Sequence, residues 1–397
     1  MNLIDPEQGG LSTSRLGRIR PMVERYIEEG KIAGAITAIV RRGGLRYSEC
    51  FGMMDLEANA PMREDALFRI YSMTKPITSI ALLMLYEEGL IRLTDSVSRF
   101  IPAFDDLRVF RYQDSGGIHT AGLLRPITVQ DLLRHTAGLS YGFEGTPVDL
   151  MYQQVQLFRE ERTLKEFVAE LVKLPLVHQP GTAWHYSVAT DVVGHLVELV
   201  SGMPLDRFFE ERIFRPLGMV DTGFCVPSEK LDRLTTLYNY GPEGRLVVQD
   251  AAAASEYARN SAFLSGGGGL VSTVADYLRF AQMLLNGGVL DDVRLVSRKT
   301  IELMTMNHLP PALLPYGSPN PATGYGFGLG VNVLMDVAQA GSVGSVGLFG
   351  WGGAATTLFW VDPKEDMVGL WMTQLMPSFR FPVADDFRVL MYQAIDD

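Results

Sequence analysis

One stretch decides how the rest of this chain is interpreted: Ile70-Tyr71-Ser72-Met73-Thr74-Lys75-Pro76-Ile77. From Met73 onward the apolar residues recur at helical spacing, and Gly89 marks the end of the predicted helix. Ser72 then lies at the helix N-terminus, three residues before Lys75, so both side chains share one face. A serine hydroxyl is a weak nucleophile unless a nearby base takes its proton, and a neutral lysine amine can be that base. Burial and the positive end of the helix dipole both favour the neutral amine.

The same spacing also arises by chance, as an N-cap serine followed by a solvated lysine. The motif alone therefore leaves a purely structural alternative open. The segment that follows the lysine, Ile77 to Leu85, is predominantly apolar and favours a buried amine. Two further segments, described below, strengthen the interpretation of Ser72 and Lys75 as a nucleophile and its base.

Composition is typical of a globular protein and disfavours several classes of partner. The chain has 397 residues, 47% of them hydrophobic and 20% charged, with a formal net charge of −11. The acidic balance and the lack of a basic stripe argue against nucleic acid or an anionic membrane as a partner. No run is long enough to cross a bilayer, and the N-terminal residues lack signal-peptide features, so we expect a cytoplasmic protein.

Cysteine and histidine usage predicts neither a disulfide nor a metal site. Cys50 and Cys225 have no CxxC or ligand spacing and are expected to be reduced packing residues. The six histidines show no spacing such as His-Glu-x-x-His. We therefore predict no metal and no cofactor.

The pattern of elements predicts an α/β protein of the α+β type, with an antiparallel sheet flanked by helices and built from both termini. An amphipathic helix is predicted over residues 12–29, followed by a hairpin that turns at Gly43-Gly44. From about residue 325 the apolar period changes to two, which predicts more strands before a last helix over 382–395. The predicted strands are 34–41, 45–51, 326–335, 354–361 and 367–374.

Residues 90–310 are predicted to form a mostly helical domain, inserted between the two parts of the α/β domain, residues 1–89 and 311–397. Thr128 to Asp131 resembles a capping box at a helix start. Gly266 to Gly269 is predicted to be a loop, without the preceding strand and following lysine of a phosphate cradle. The helices predicted in this domain include 163–173, 188–200, 204–213, 274–286 and 298–306.

Two other segments carry candidate site residues. Gln179 to Ser187 turns into a predicted helix and presents Tyr186 just before it, where loop side chains project into clefts. A tyrosine bonded to both serine and lysine can carry a proton. Gly347 to Ala354 opens a predicted strand, where glycines allow close backbone approach and an N–H can donate to an oxyanion. The alternatives are a packing tyrosine and a glycine-rich turn around a buried Trp351.

The order of these motifs resembles the serine β-lactamase-like superfamily: Ser-x-x-Lys, a tyrosine after Pro-Gly-x-x-Trp, and a Trp-Gly-Gly strand. Within it, the chain is most similar to the family VIII carboxylesterases, relatives of class C β-lactamases and DD-peptidases. The segments His135–Leu139 and Ser265–Thr273 also resemble that family, so the likeness covers nearly the whole length.

The resemblance implies that Ser72 is the acylated nucleophile, Lys75 its base, and Tyr186 the proton relay to the leaving group and in deacylation. It places the oxyanion hole at the backbone N–H groups of Ser72 and Ala354. The fold it implies, an antiparallel sheet with helices plus a helical domain, agrees with the predicted elements. The substrate pocket it implies would be lined by Trp351, Gly352, Gly353, Tyr141 and Phe143.

Two departures from the β-lactamase pattern point to neutral substrates. Tyr186-Ser187-Val188 replaces Tyr-x-Asn, so the amide that holds a lactam side chain is missing. Trp351-Gly352-Gly353 replaces Lys-Thr-Gly, which removes a cation for a substrate carboxylate. We therefore expect a serine carboxylesterase that takes small, neutral, short-acyl esters through an acyl-enzyme, with a small-molecule ester as its partner and an undefined oligomeric state.

Three other functions stay open: an acyltransferase using the same site, a β-lactamase or cephalosporin-acting hydrolase, and a catalytically silent binding module. An ordinary Ser-His-Asp hydrolase is disfavoured because no Gly-x-Ser-x-Gly occurs. The two nearest matches each lack the first glycine, at Ala340–Gly344 and Val343–Gly347.

Overall fold

The computed structural model describes residues 3–317 and 320–397, and its central feature is an eight-stranded antiparallel sheet. Met1 and Asn2 of the N-terminal segment, and two residues of the predicted 311–397 part, lie outside the described residues. The sheet and its flanking helices confirm the expected α+β class. In spatial order the strands are Tyr325–Phe327, Asn332–Leu334, Phe349–Gly353, Thr357–Asp362, Met367–Met372, Gly34–Arg41, Gly44–Asp55 and Ala60–Pro61.

The strand Gly34–Arg41 joins the two ends of the chain within the sheet. It pairs antiparallel with Met367–Met372 on one side and with Gly44–Asp55 on the other. Every residue of this strand is buried, because helices cover both faces of the sheet at this point. The hairpin turns one residue earlier than expected, at Arg42 and Gly43, whose φ angles of 50° and 71° suit a tight two-residue turn.

Two differences from the predicted strands matter for the site, and glycine conformation explains the first. The single strand expected over 326–335 is two short strands, because the chain turns at Gly330, which has a φ of 89°. The strand expected to begin at Ala354 begins at Thr357, and Ala354 lies in the turn after Phe349–Gly353. Because of this turn, the backbone of Ala354 lies at the end of the sheet and is not part of the hydrogen-bonded pairing between strands.

Helices from both ends of the chain cover one face of the sheet. Ile19–Glu28 packs against the last helix, Val383–Tyr392, and both contribute apolar side chains to one core cluster. The helix expected over 12–29 is interrupted at Gly17, a weak helix former, so that Thr13–Leu16 is a separate turn.

The other face of the sheet supports the helix that contains Lys75. Val274–Leu285 packs directly on the sheet, and its neighbour Thr74–Glu87 is buried from Thr74 through Leu85. A helix that is apolar almost all round belongs in a core, which explains why its polar residues are buried with it. The short 3₁₀ turn Tyr71–Met73 leads into it.

The middle of the chain is less helical than expected. Several of the helices there are short, and a projecting hairpin, Arg108–Asp114 with Gly117–Gly122, was not predicted. Val109 is the one buried residue in its first strand, so the segment lacks the apolar alternation that identifies a half-buried strand. A second missed hairpin is Leu237–Tyr240 with Leu246–Asp250. The longer helices are Pro147–Val155, Leu164–Leu171, Ala189–Ser201, Val274–Leu285 and Arg298–Met304, with shorter ones at Val129–Leu133, Leu205–Phe209, Arg215–Leu217 and Val337–Ala340.

A buried carboxylate orders the loops beside the helix Ala189–Ser201. The capping box predicted at Thr128 is confirmed, and its Asp131 also accepts hydrogen bonds from Arg125 at 2.6 and 2.9 Å and from Thr136 at 2.8 Å. Burial alone would raise the pKa of Asp131, but the hydrogen bonds from Arg125 and Thr128 outweigh it and hold the pKa well below its usual value. The Thr136 carbonyl in turn accepts a bond from Gly181, in the loop that leads to Tyr186.

We expect Asp131→Ala to lower the free energy of unfolding at neutral pH by about 3 kcal/mol, because it leaves buried donors and a guanidinium unpaired. A carboxyl whose pKa is lowered on folding stabilises the fold above its unfolded pKa, and that contribution is lost as the pH falls. The difference between variant and wild type should therefore shrink below pH 3.8, the unperturbed value. Urea unfolding across pH measures it. Asp232→Ala, which breaks an exposed ion pair with Arg63, is the control and should cost less than about 1 kcal/mol.

Candidate active site

Ser72 is held at the start of its helix in a strained turn. It is the middle residue of the 3₁₀ turn Tyr71–Met73, and Tyr71 just before it has a positive φ of 41°, unusual for a residue other than glycine. The first N–H groups of a helix have no partner within it, so the Ser72 N–H is available to a ligand. The turn thus presents both the hydroxyl and the backbone N–H of Ser72 to the cavity.

Lys75 lies behind Ser72 and is completely buried. Its Nζ is 3.1 Å from Ser72 Oγ and donates a 2.6 Å hydrogen bond to the carbonyl of Gly267. The same nitrogen lies 4.7 Å from the centre of the Tyr186 ring and 5.2 Å from that of Tyr141. The amine therefore faces the serine, one carbonyl and two aromatic faces, as expected for a buried lysine and contrary to a solvated one.

Tyr186 is brought to the same place by its loop, but its hydroxyl has a different partner from the one expected. The indole Nε1 of Trp351 donates to it at 3.3 Å. Among the described residues, the hydroxyl makes no hydrogen bond to Ser72 or Lys75. The Tyr186 ring packs among other aromatic rings, with centroid distances of 4.9 Å to His135, 5.2 Å to Tyr141 and 6.0 Å to Trp184. The phenol is thus fixed beside the amine by packing and by one indole.

The strand Phe349–Gly353 runs past the Ser72 turn and contacts it directly. A Cβ at Gly353 would lie 2.4 Å from the carbonyl oxygen of Ile70, so only glycine allows this approach. Ala354 follows the strand and lines the cavity with Ser72, and no hydrogen bond engages its N–H within the described parts of the chain. Both N–H groups predicted for the oxyanion hole therefore border one cavity.

The cavity has a volume of about 1080 Å³. Apart from the buried Lys75, every site residue expected from the sequence borders it, including the pocket residues Tyr141, Phe143, Trp351, Gly352 and Gly353. Phe143 is 78% exposed and stacks on Tyr141 with 5.1 Å between ring centres. Aromatic side chains thus form much of the wall around the serine, as is usual in small-molecule sites.

Two residues at the site were missed by the sequence analysis. The glycine loop predicted over residues 266–269 supplies the Gly267 carbonyl that receives Lys75. Asp191, in the first turn of Ala189–Ser201, is buried and accepts bonds from Ser265 Oγ at 2.5 Å and Gly267 N at 3.0 Å. The one available signal was the resemblance of Ser265–Thr273 to the family, because an aspartate near a helix start otherwise indicates a cap.

Burial dominates the electrostatics of the site. It raises the pKa of Asp191 above its usual value, against the opposing bond from Ser265 and the charge of Lys75. Burial and then the charge of Asp191 raise the pKa of Tyr141 well above its usual value. His135, also enclosed, has its pKa lowered by burial, so its imidazole is neutral beside Tyr186. Around Lys75, burial therefore favours the protonated forms of Asp191 and Tyr141 and the neutral form of His135.

Comparison with known proteins gives the family. The Beta-lactamase family model matches residues 19–393. Esterase EstB of Burkholderia gladioli is 30% identical over 378 residues, which are 90% of this chain and 90% of EstB. Protein Rv1367c of Mycobacterium tuberculosis (strain ATCC 25618 / H37Rv) is 35% identical over 371 residues, 91% of this chain and 90% of that protein.

A solved structure supports the same family assignment as these two relatives. EstCE1, described as a hydrolase with promiscuous acyltransferase activity, superposes with a TM-score of 0.81 at 26% identity, covering 96% of this chain and 99% of its own. The chain belongs to the β-lactamase family and is a serine hydrolase, and the resemblance to family VIII carboxylesterases is confirmed.

Over residues 3–317 and 320–397, none of the helices is both long and apolar enough to traverse a bilayer. The same residues contain no group of three or more His, Cys, Asp or Glu side chains arranged to hold a metal ion.

We expect Trp351→Phe to lower kcat about fivefold while KM changes little, because it removes the hydrogen bond to the Tyr186 hydroxyl, worth ~1 kcal/mol, but keeps most of the ring. Steady-state kinetics with p-nitrophenyl acetate measures this. Trp184→Phe is the matched control, since its indole N–H is buried beside Tyr186 but has no partner in the described structure. Equal losses in both variants would show that ring packing, rather than the hydrogen bond, matters.

Proposed function

We propose that this chain is a serine carboxylesterase that hydrolyses small, neutral, short-acyl esters through an acyl-enzyme. One observation carries the proposal: a fully buried lysine amine lies 3.1 Å from the hydroxyl of a serine that borders a large cavity. A nucleophile and a base within hydrogen-bond reach are what acyl transfer to serine needs.

In the first half of the reaction, Lys75 as a neutral amine takes the proton of Ser72 while Oγ attacks the ester carbonyl. The N–H groups of Ser72 and Ala354 receive the negative charge that develops on the carbonyl oxygen. The carbon–oxygen bond to the alcohol then breaks, and the alcohol leaves with a proton that passes through the Tyr186 hydroxyl. The products of this half are the free alcohol and an ester on Ser72 Oγ.

In the second half, water attacks the acyl carbonyl and its proton returns through the same groups to Ser72. The carboxylic acid is released, and Lys75 is again a neutral amine. Lys75 is close enough to act directly in both halves. The Tyr186 hydroxyl accepts the hydrogen bond of the Trp351 indole at 3.3 Å, which leaves its own proton free to be donated to the leaving alcohol.

The lining of the cavity supports neutral esters over β-lactams. Val188, at the position of the β-lactamase asparagine, is completely buried and offers no amide to a lactam side chain. Ser187 is also buried and lies 3.3 Å from His135 Nδ1 rather than facing the cavity. The indole of Trp351, where β-lactamases carry a lysine, bonds Tyr186 and supplies no charge for a carboxylate. We therefore disfavour cephalosporin hydrolysis as the main activity.

We expect Ser72→Ala to reduce hydrolysis of p-nitrophenyl butyrate at least about a thousandfold, because it removes the oxygen that carries the acyl group in the proposed mechanism. Initial rates and labelling by a fluorophosphonate probe measure this. Ser79→Ala is the matched control, because Ser79 is buried in the same helix and its hydroxyl has no partner among the described residues. A folded Ser72→Ala variant that still turns over the ester would exclude this serine as the nucleophile.

Acyl transfer is the second candidate, and the size of the cavity favours it. A volume of about 1080 Å³ is at the upper end of small-molecule sites, so a short acyl group on Ser72 leaves room for an alcohol beside it. The alcohol would replace water in the second half, forming a new ester and freeing Ser72. EstCE1, whose description includes acyl transfer, shares the fold.

We expect that adding 1-butanol to the p-nitrophenyl acetate reaction diverts part of the acyl flux to butyl acetate, because both acceptors compete for one acyl-enzyme. Gas chromatography quantifies butyl acetate against acetate, with Ser72→Ala as the control for uncatalysed exchange. If only acetate forms at saturating alcohol, the chain is a hydrolase without transferase activity.

The other expectations from composition extend this proposal. A cytoplasmic location and the absence of a nucleic-acid partner rest on the sequence and the net charge of −11. They agree with a small-molecule enzyme and carry no weight in the choice of reaction.

A further inference from the structure

Asp191 is a buried carboxylate that the proposed reaction does not use. Its Oδ1 accepts a 2.5 Å bond from Ser265 and a 3.0 Å bond from the N–H of Gly267. Its Oδ2 is buried and has no hydrogen-bond partner in the described structure. An incompletely satisfied buried carboxylate is costly, so its presence calls for a specific explanation.

Gly267 links this carboxylate to Lys75. Its N–H bonds Asp191, and its carbonyl receives Lys75 Nζ at 2.6 Å. A Cβ at this position would lie 2.6 Å from Asp191 Oδ2 and 2.9 Å from the Tyr141 hydroxyl, so the glycine permits the close approach. Gly267 therefore couples the position of the Asp191 carboxylate to that of the Lys75 amine.

The charge of Asp191 also acts on the amine. The positive charge of Lys75, which lies on the neighbouring helix, acts on the Asp191 carboxylate. The other titratable groups that face this pair are Tyr141, Tyr186 and His135, and burial keeps Tyr141 and His135 neutral. A negative charge near an amine in a low-dielectric interior stabilises the protonated amine.

We propose that Asp191 is a positioning residue for Lys75: it holds the Gly267 carbonyl that locates the amine next to Ser72, and its charge sets the pH above which the amine accepts the serine proton. The proposal rests on the proposed function, because it concerns the same serine and base. It assigns Asp191 no contact with the substrate.

Asp191→Asn and Ser265→Ala separate the two effects. The asparagine is isosteric, its Oδ1 can keep both hydrogen bonds, and its amide occupies the site where Oδ2 has no partner. It removes the charge alone. Ser265→Ala keeps the carboxyl group and removes one of the two bonds that fix it.

We expect Asp191→Asn to move the acid limb of the kcat/KM profile for p-nitrophenyl acetate to lower pH by about one unit, because an opposite charge has been removed. Ser265→Ala should lower kcat severalfold and leave the limb in place. The pH dependence of fluorophosphonate labelling of Ser72 should shift in parallel with the first variant. An acid limb that coincides with wild type in Asp191→Asn overturns the proposal.

Labelling also distinguishes the two proposals, because it requires no ester turnover. If wild type labels at Ser72 but hydrolyses no ester, the proposed function fails while the labelling profile still tests Asp191. If Asp191→Asn does not fold, Gly267→Ala replaces it: its methyl group would lie 2.6 Å from Asp191 Oδ2 and 2.9 Å from the Tyr141 hydroxyl, so the carboxylate must shift and kcat should fall. An unchanged kcat in that variant overturns the proposal.

Discussion

The site depends on the burial of one amine. Lys75 lies on a helix whose residues are buried through three turns, so its charge cannot be solvated by simple extension into water. Its partners are the Ser72 hydroxyl, the Gly267 carbonyl and two aromatic faces, and the N–H of the same glycine bonds the Asp191 carboxylate. Among the described residues no carboxylate oxygen bonds the amine directly, so the amine stays available to the serine hydroxyl.

The proposed catalytic groups of the site are assembled from three distant parts of the chain. Ser72 and Lys75 come from the helix that follows the first strands, and Tyr186 and Asp191 flank the start of another helix packed against it. The glycine strand arrives from the C-terminal part through the sheet. Because Gly34–Arg41 pairs with strands from both ends, the sheet brings that late strand next to the early helix.

Trp351 connects the two halves of the site. Its backbone belongs to the strand that ends at the proposed oxyanion donor Ala354, and its indole holds the Tyr186 hydroxyl. Where β-lactamases place a cation for a substrate carboxylate, this chain has an apolar ring with one donor. The same substitution therefore lowers the charge of the pocket and fixes the proposed proton carrier.

Helical periodicity, the glycine hairpin and the Ser-x-x-Lys spacing were local signals, so the sequence by itself determined the Ser72 helix, the strand Gly34–Arg41 and the fold class. It missed the exposed hairpin at 108–122, whose strands bury too little to show alternation, and it placed Ala354 inside a strand rather than in a turn. The convergence of Tyr186 on the amine followed from motif order alone. Only the tertiary structure decided that the phenol bonds an indole, that Gly267 accepts the lysine amine and that Asp191 bonds the N–H of Gly267. Those contacts join residues that are far apart in the sequence, and the local spacing of residues does not determine the distance between such residues in the fold.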